Sequence, residues 1–272
     1  MSVTTTPPAG TRRDAGDDYE VFCVAFRRVC GIDLLQYKRG QMERRIRSFI
    51  ATRGIPDLAT YARTLAADTD ELNRFLDRMT INVSQLWRNP EQWALLGERV
   101  IPELAANGRL RCWSAGASYG AEAYTLAATC AEVLPSARVE IVGTDIDRRM
   151  VERARAGVFS ADDARDVPRA QRKRWFAERD GMLHADPKLR SLCRFETGDL
   201  LTMRPARQVY DLVLCRNTVI YFTPEVKDAL HARIATALVP GGYFMVGSTE
   251  RISDPAALGL EIAHPFVYRK AA

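Results

Sequence analysis

The chain has 272 residues, 47% of them hydrophobic and 27% charged, with a net charge of +5 at pH 7. That balance belongs to a globular protein large enough for one big domain or two modest ones. It argues against a membrane-spanning protein, since no uncharged apolar run nears the roughly 20 residues that a spanning helix needs. Met1 to Asp18 is rich in Thr, Pro and Gly and lacks an apolar core. It reads as a disordered tail (residues 1–18) and not as a secretory signal. The six cysteines form no C-x-x-C pair, and the histidines (His184, His231, His264) are scattered. We expect reduced core thiols, no metal site and a cytoplasmic protein.

Apolar residues at helical spacing predict a helix over Asp18–Cys30, broken by Gly31-Ile-Asp33. A second helix is expected from about Lys38 to Arg53, ended by Gly54. Between Glu20 and Arg53 there are eight basic and three acidic residues, a surplus equal to that of the whole chain. Arg44 and Arg47 project from the face of this second helix opposite its apolar stripe, a face that is either solvated or a docking surface for an acidic partner. Two further helices, near Asp57–Ala67 and Asp70–Met79, complete an all-helical N-terminal domain, which with its linker occupies residues 19–88. Asn89-Pro-Glu-Gln92 then starts a new helix, with Asn89 as N-cap, Pro90 at N1 and Gln92 at N3, running to about Ala106.

The second domain, residues 89–272, is organised around Arg111–Thr125. A short apolar strand, a loop of small residues with Gly116 and Gly120, and an apolar helix from Ala121 follow one another. Glycines let backbone approach a ligand, and a helix N-terminus offers unpaired N–H groups. Val139–Thr144 is a second strand with Asp145 at its tip, placed to accept hydrogen bonds from ribose hydroxyls. The loop is not G-x-G-x-x-G and carries no P-loop lysine, which points to an adenosine ligand without phosphates, S-adenosylmethionine. Strands are also expected at Arg194–Thr197, ending at Gly198-Asp199-Leu200, and at Tyr210–Leu214, ending at Cys215-Arg216-Asn217. Tyr221-Phe222, a helix Pro224–Leu238, a strand Tyr243–Gly247 and one closing strand near Ile262–Tyr268 complete the pattern. Strands alternating with helices predict a parallel sheet covered on both faces, with ligands at its carboxyl edge. Arg179-Asp-Gly181 suggests a small hairpin between Lys173 and Phe195.

Several separated segments carry a resemblance. These are Thr80-Ile-Asn-Val-Ser-Gln-Leu-Trp-Arg88, the central loop from Trp113 to Thr125, Gly143-Thr-Asp-Ile-Asp147 and Leu214-Cys-Arg-Asn-Thr-Val-Ile-Tyr-Phe222. Tyr37–Arg45 and Gly241–Glu250 add to them. In order and spacing the chain resembles the bacterial chemotaxis receptor methyltransferases (CheR-type) from about residue 20 onward. The resemblance implies a Rossmann-like S-adenosylmethionine-dependent methyltransferase sheet with an N-terminal all-helical domain and a small β insert near 173–194. It implies methyl transfer to glutamate carboxylates of chemoreceptors, giving methyl esters and S-adenosylhomocysteine. Carried over by position, Asn82, Ser84, Arg88, Gly116, Glu122, Asp145, Asp199, Leu200, Arg216 and Asn217 would hold the cofactor. Arg88 and Tyr221 would flank the transferred methyl, and the basic helix with Arg44 and Arg47 would meet acidic receptor helices. The chain departs from the family's loop at Tyr119, Ala121 and Ala123, where Thr, Glu and Pro are usual.

Each assignment has a plainer counterpart: an ion pair for Arg88, a core position for Tyr221, a turn cap for Asp199. A nucleic-acid methyltransferase is disfavoured, because the fourth strand is followed by neither a D/N-P-P-Y/F/W motif nor a Pro-Cys pair. The alternative to the enzyme is a module that binds cofactor and receptor with weak or no transfer. Neither nucleic acid nor direct membrane insertion is expected.

Overall fold

The computed structural model describes residues 17–79, 84–104, 108–135 and 137–272. Residues 1–16 of the expected tail, and the expected cofactor residue Asn82, lie outside these. The chain divides into two compact units, Met1–Ile81 and Asn82–Ala272.

The first unit contains α1 (Asp18–Cys30), α2 (Arg39–Thr52), α3 (Leu58–Ala67) and α4 (Thr69–Met79). Asp17 and Asp18, the end of the expected tail, belong to the first helix: the Asp17 carboxylate accepts from the Tyr19 amide at 3.1 Å. An oxygen at that position satisfies an amide that has no intrahelical partner. Gly31, at φ +80°, closes the helix in a left-handed cap. The core is aromatic: the Phe26 and Tyr61 rings meet the Phe75 ring edge-on at 5.2 and 5.3 Å. Buried Glu71 accepts from the Tyr61 hydroxyl at 2.9 Å and from Arg53 and Arg74 at 2.5 and 3.0 Å. On α2 the two named arginines differ. Both are exposed, but Arg47 donates to Asp18 at 2.7 Å and to Glu43 at 2.8 Å.

The second unit opens with α5 (Pro90–Leu95), a π-helical turn (Leu96–Val100) and α6 (Ile101–Leu104). The helix expected after Asn89 is thus interrupted by a wider turn. Then come β1 (Arg109–Ala115), α7 (Ala121–Val133), β2 (Arg138–Asp145), α8 (Arg148–Ala156), β3 (Val158–Phe159), α9 (Arg169–Trp175), β4 (Phe176–Arg179) and β5 (Met182–Ala185). The chain finishes with α10 (Pro187–Leu192), β6 (Cys193–Thr197), β7 (Tyr210–Cys215), α11 (Pro224–Ala237), β8 (Leu238–Val246), β9 (Leu260–His264) and β10 (Val267–Lys270). Seven strands form one sheet in the order β6-β2-β1-β7-β8-β10-β9.

Five of these strands are parallel, as expected. The end of the sheet is not. In place of one closing strand, β9 and β10 form an antiparallel pair, and β10 also runs antiparallel to β8. Pro265 and Phe266, the latter at φ +64°, turn the chain between them. A proline followed by a residue with positive φ makes a tight reversal. In the insert, Asp180 and Gly181 at φ +50° and +72° join β4 to β5, the backbone that a two-residue hairpin demands. The small sheet, order β3-β5-β4, also draws in β3 from upstream.

α7 is packed almost all round, with Ala121, Ala123, Tyr124, Thr125, Leu126, Ala127, Ala128, Cys130 and Ala131 buried. All six cysteines are free thiols, four of them buried. Burial raises the thiols of Cys23, Cys30, Cys112, Cys193 and Cys215 above their ordinary range. Among the described residues no helix is long and apolar enough to cross a membrane.

His231 on α11 is fully buried against the Phe244 ring at 5.6 Å, and neither ring nitrogen has a hydrogen-bond partner among the described residues. Burial pushes its pKa down to about 4. A depressed histidine contributes stability that is complete above its unfolded pKa of about 6.5 and is lost as pH falls toward 4. The loss attributable to this ring is roughly 3 kcal/mol across that window. Urea unfolding of the native chain and of His231→Leu, measured from pH 7 to pH 4.5, should show a steeper decline in the native protein.

Candidate functional site

Among parallel strands the chain order reverses between β1 and β7: β2 lies on one side of β1 and β7 on the other. Ligands bind in such sheets beyond the carboxyl ends of the strands at that reversal. The loop after β1 and the turn after β7 therefore define the candidate site.

The loop is folded over the end of β2. Gly116 at φ +86° and Ala117 both donate their amides to the Thr144 carbonyl at 2.9 Å. A side chain at Gly116 would also collide with the Thr218 hydroxyl, so the close approach of the two loops requires glycine there. The Ser118 amide donates to Asp145 Oδ2 at 2.7 Å and the Asp147 amide to Oδ1 at 2.9 Å. Burial raises the Asp145 carboxyl while these amides pull it back. Asp147, not Asp145, caps α8 through the Arg149 amide at 2.9 Å. With Gly120 donating to Ala117 at 2.9 Å, four of the five loop amides are engaged by the chain itself. Such a loop offers no ring of free amides for a diphosphate, in agreement with a phosphate-free adenosyl group.

The turn after β7 is built around Arg216, which is 7% exposed. Its Nε donates to Gln92 Oε1 at 3.0 Å, and its Nη2 to Gln92 Oε1 and the Arg88 carbonyl, each at 2.7 Å. Nη2 also reaches Asn89 Oδ1 at 3.3 Å, and Nη1 reaches Glu122 Oε2 at 3.3 Å. The guanidinium lies over the Trp93 ring at 5.0 Å. Ser114 donates to the other Glu122 oxygen at 2.7 Å. Burial raises the Glu122 carboxyl, and the Arg216 charge opposes that rise. Asn89 is the N-cap residue of α5 and Pro90 follows at N1, as expected, but Asn89 has no side-chain cap bond: the amide oxygens of Asn89 and Gln92 both face Arg216. A buried guanidinium must be given acceptors, and that demand outweighs a helix cap.

Asn217 stands at φ +58°, its amide bonded to Glu250 Oε2 at 2.7 Å, and the Gly247 amide shares that oxygen at 2.7 Å. Half-buried Tyr221 ends the short 3-10 turn Val219–Tyr221 that follows. Trp87 and Asn89 bracket Arg88 at φ +56° and +60°. Left-handed residues cost energy outside glycine and cluster where surrounding packing dictates the backbone. Here the Trp87 amide is held by Thr125 Oγ1 at 3.0 Å, and the Arg88 carbonyl also accepts from Trp93 Nε1 at 2.9 Å.

Asp199 is engaged by its own turn. Its carboxylate accepts from the Leu201 amide at 2.8 Å and the Thr202 hydroxyl at 3.2 Å, capping the turn that begins with half-buried Gly198. Leu200 is buried behind it. The structure thus gathers Arg88, Glu122, Arg216 and Asn217 around one polar cluster, and joins the Gly116 loop to Asp145. Arg44 and Arg47 belong to the other unit. The sequence reading gave no role to Gln92, Ser114 or Glu250 in this cluster. Glu250 lay at the end of the segment Gly241–Glu250 that carried the resemblance, and an acid closing that otherwise apolar and small-residue run was the available signal.

Comparison with known proteins agrees in both units. Residues 82–261 match the family described as CheR methyltransferase, SAM binding domain, and residues 17–80 the one described as CheR methyltransferase, all-alpha domain. The chain is 34% identical over 259 residues to the chemotaxis protein methyltransferase of Listeria innocua, covering 94% of this chain and 98% of that protein. It is 32% identical over 252 residues to chemotaxis protein methyltransferase 1 of Pseudomonas aeruginosa, covering 88% of this chain and 92% of that protein.

Removal of one partner from a buried ion pair leaves the other charge stranded. Arg216→Ala should lower the unfolding free energy by about 3–5 kcal/mol. Gln92→Ala, which leaves Glu122 paired, should cost about 1–3 kcal/mol. Denaturant titration of the two variants checks both values.

Proposed function

The chain belongs to the CheR methyltransferase family, and from that premise we propose that it transfers methyl from S-adenosylmethionine to glutamate side chains of chemoreceptors in the cytoplasm. The products are glutamate methyl esters and S-adenosylhomocysteine. The observation that carries this reading is the meeting of the Gly116 loop, the Asp145 carboxylate and the Arg216–Asn217 turn where the strand order reverses.

When bound, the cofactor supplies a methyl already activated on a sulfonium. A glutamate carboxylate is already a nucleophile at neutral pH, so the reaction asks the chain for no general base. The protein's task is to hold the partners in line and keep water away. Asp145 accepts the ribose hydroxyls, and Gly116 lets the loop backbone lie against the adenosyl group. Asn82, Ser84, Asp199, Leu200 and Asn217 line the remaining wall. Glu122 and Arg216 act mainly on each other, because the guanidinium is already bonded to four protein partners. Their contribution is to fix the wall at the ends of β1 and β7. The Arg88 side chain orients the incoming carboxylate, and Tyr221 steers it through its hydroxyl. On α2, exposed Arg44 meets the acidic methylation helices of the receptor. Arg47 contributes through a charge already shared with Asp18 and Glu43.

Radiolabelled methyl transfer to receptor-containing membranes, with base-labile release of the label, tests the reaction. Binding of S-adenosylhomocysteine with no methyl incorporation would instead leave a cofactor- and receptor-binding module. Arg88→Ala should abolish most transfer while the fold stays intact by circular dichroism. Asp145→Ala should weaken S-adenosylhomocysteine binding by about 1–3 kcal/mol in calorimetry. Arg44→Glu should raise KM for receptor and leave cofactor affinity unchanged. It is a cleaner probe than reversal of Arg47, which would also break the tie between α1 and α2.

A further inference from the structure

Tyr119 stands in the loop where the resembled motif has threonine, and the structure gives the larger side chain a task. The residue is 3% exposed. Its ring lies under the Arg153 guanidinium, 3.9 Å from the centroid, and beside Phe159 at 6.3 Å. Its one hydroxyl proton is shared between two acceptors, Asp163 Oδ1 at 2.9 Å and the Ser84 carbonyl oxygen. Asp163 is itself fixed by Arg153 at 2.5 Å and by the Ser160 amide at 2.8 Å. Burial and the Asp163 charge raise the phenol, so it remains a hydrogen-bond donor.

These contacts converge on the segment from Ser84 to Arg88. The Ser84 carbonyl is met by Tyr119, the Leu86 amide donates to the Asp163 carbonyl at 2.9 Å, and the Trp87 amide donates to Thr125. The segment is therefore a strap fastened at several points, Gln85 being held by Arg165 at 2.6 Å and the Arg88 carbonyl by Trp93 and Arg216 as well. Tyr119 alone among these fasteners comes from the loop between Gly116 and Gly120. A threonine hydroxyl, one bond from Cβ, could not span the distance that the phenol spans across its ring.

We propose that Tyr119 is a positioning residue for the cofactor pocket: its hydroxyl locks the Ser84 end of the strap to the glycine loop and thereby sets the affinity for the adenosyl ligand. This rests on the reading that the strap and the loop line that pocket. A strap free to move must be ordered when ligand binds, and that cost appears as weaker affinity. Tyr119 touches the Ser84 end of the strap, whereas the Arg88 end is held separately by Trp93 and Arg216, so it should influence binding and leave the transfer step near its native rate.

The test compares the wild-type chain with Tyr119→Phe, which removes one oxygen, and with Tyr119→Thr. S-adenosylhomocysteine affinity is measured by calorimetry, KM and kcat by methyl transfer, and hydrogen exchange of residues 84–88 without ligand. Tyr119→Phe should weaken S-adenosylhomocysteine about tenfold and raise KM for S-adenosylmethionine by a similar factor, at near-native kcat and receptor KM. Exchange at the Leu86 amide should quicken while protection of α7 is unchanged, and Tyr119→Thr should behave no better than Tyr119→Phe. Native affinity in Tyr119→Phe, with or without faster exchange in the strap, overturns the proposal and leaves the methyltransferase reading standing. A fall in kcat with unchanged affinity also overturns it. Failure of the wild-type chain to bind S-adenosylhomocysteine sinks the underlying reading and the proposal with it.

Discussion

A guanidinium cannot be taken out of water without acceptors for its donors, and the second unit is arranged around meeting that demand for Arg216. The acceptors come from distant parts of the chain: Gln92 on α5, the Arg88 carbonyl and Asn89 ahead of it, and Glu122 in the first turn of α7. Gln92 in turn donates to the Val246 carbonyl at the end of β8, at 3.3 Å. One buried cation thereby registers the ends of β7 and β8, the start of α7 and the entry to α5 against each other. Each belongs to the same edge of the sheet, so the demand that stabilises the cluster also fixes the geometry of the site.

The parallel core was legible in the sequence because its signals are local. Short apolar strands ending in Asp145, Asp199 and Arg216-Asn217, with helices between, specify a wound sheet and the edge where its polar residues gather. The antiparallel end was not legible. Ile262 to Tyr268 reads as a continuous apolar run unless Pro265-Phe266 is taken as a turn, and the positive φ of Phe266 has no glycine or asparagine to announce it. The side-chain cap bond at Asn89 is missing for the opposite reason. Its local signal was sound, but a nonlocal partner, Arg216, competed for the same two oxygens and won. Asp199 shows a limit of residue type: an acid at a strand tip that caps a turn, as Asp199 does through Leu201 and Thr202, keeps lone pairs for a ligand.

The helical unit shows what a charge count leaves open. The basic surplus between Glu20 and Arg53 allowed two readings of the α2 face, solvated or docking. Arg39 and Arg47 are largely balanced by Asp17, Asp18, Glu20 and Glu43, two of which lie before the counted segment. These are exposed pairs of small energetic worth, yet they redistribute the surface potential. The positive character that remains is focused at residues such as Arg44.

The buried thiols have a consequence of a different kind. Oxidants and alkylating agents attack thiolates, and a thiol held protonated by its surroundings reacts slowly. Cys112 and Cys215 lie inside the sheet that forms the site, with their ionisation suppressed by burial. Peroxide stress that inactivates enzymes with exposed, acidic cysteines finds no comparable foothold on these strands. Both thiols stay poor targets for oxidants as long as the fold holds them buried.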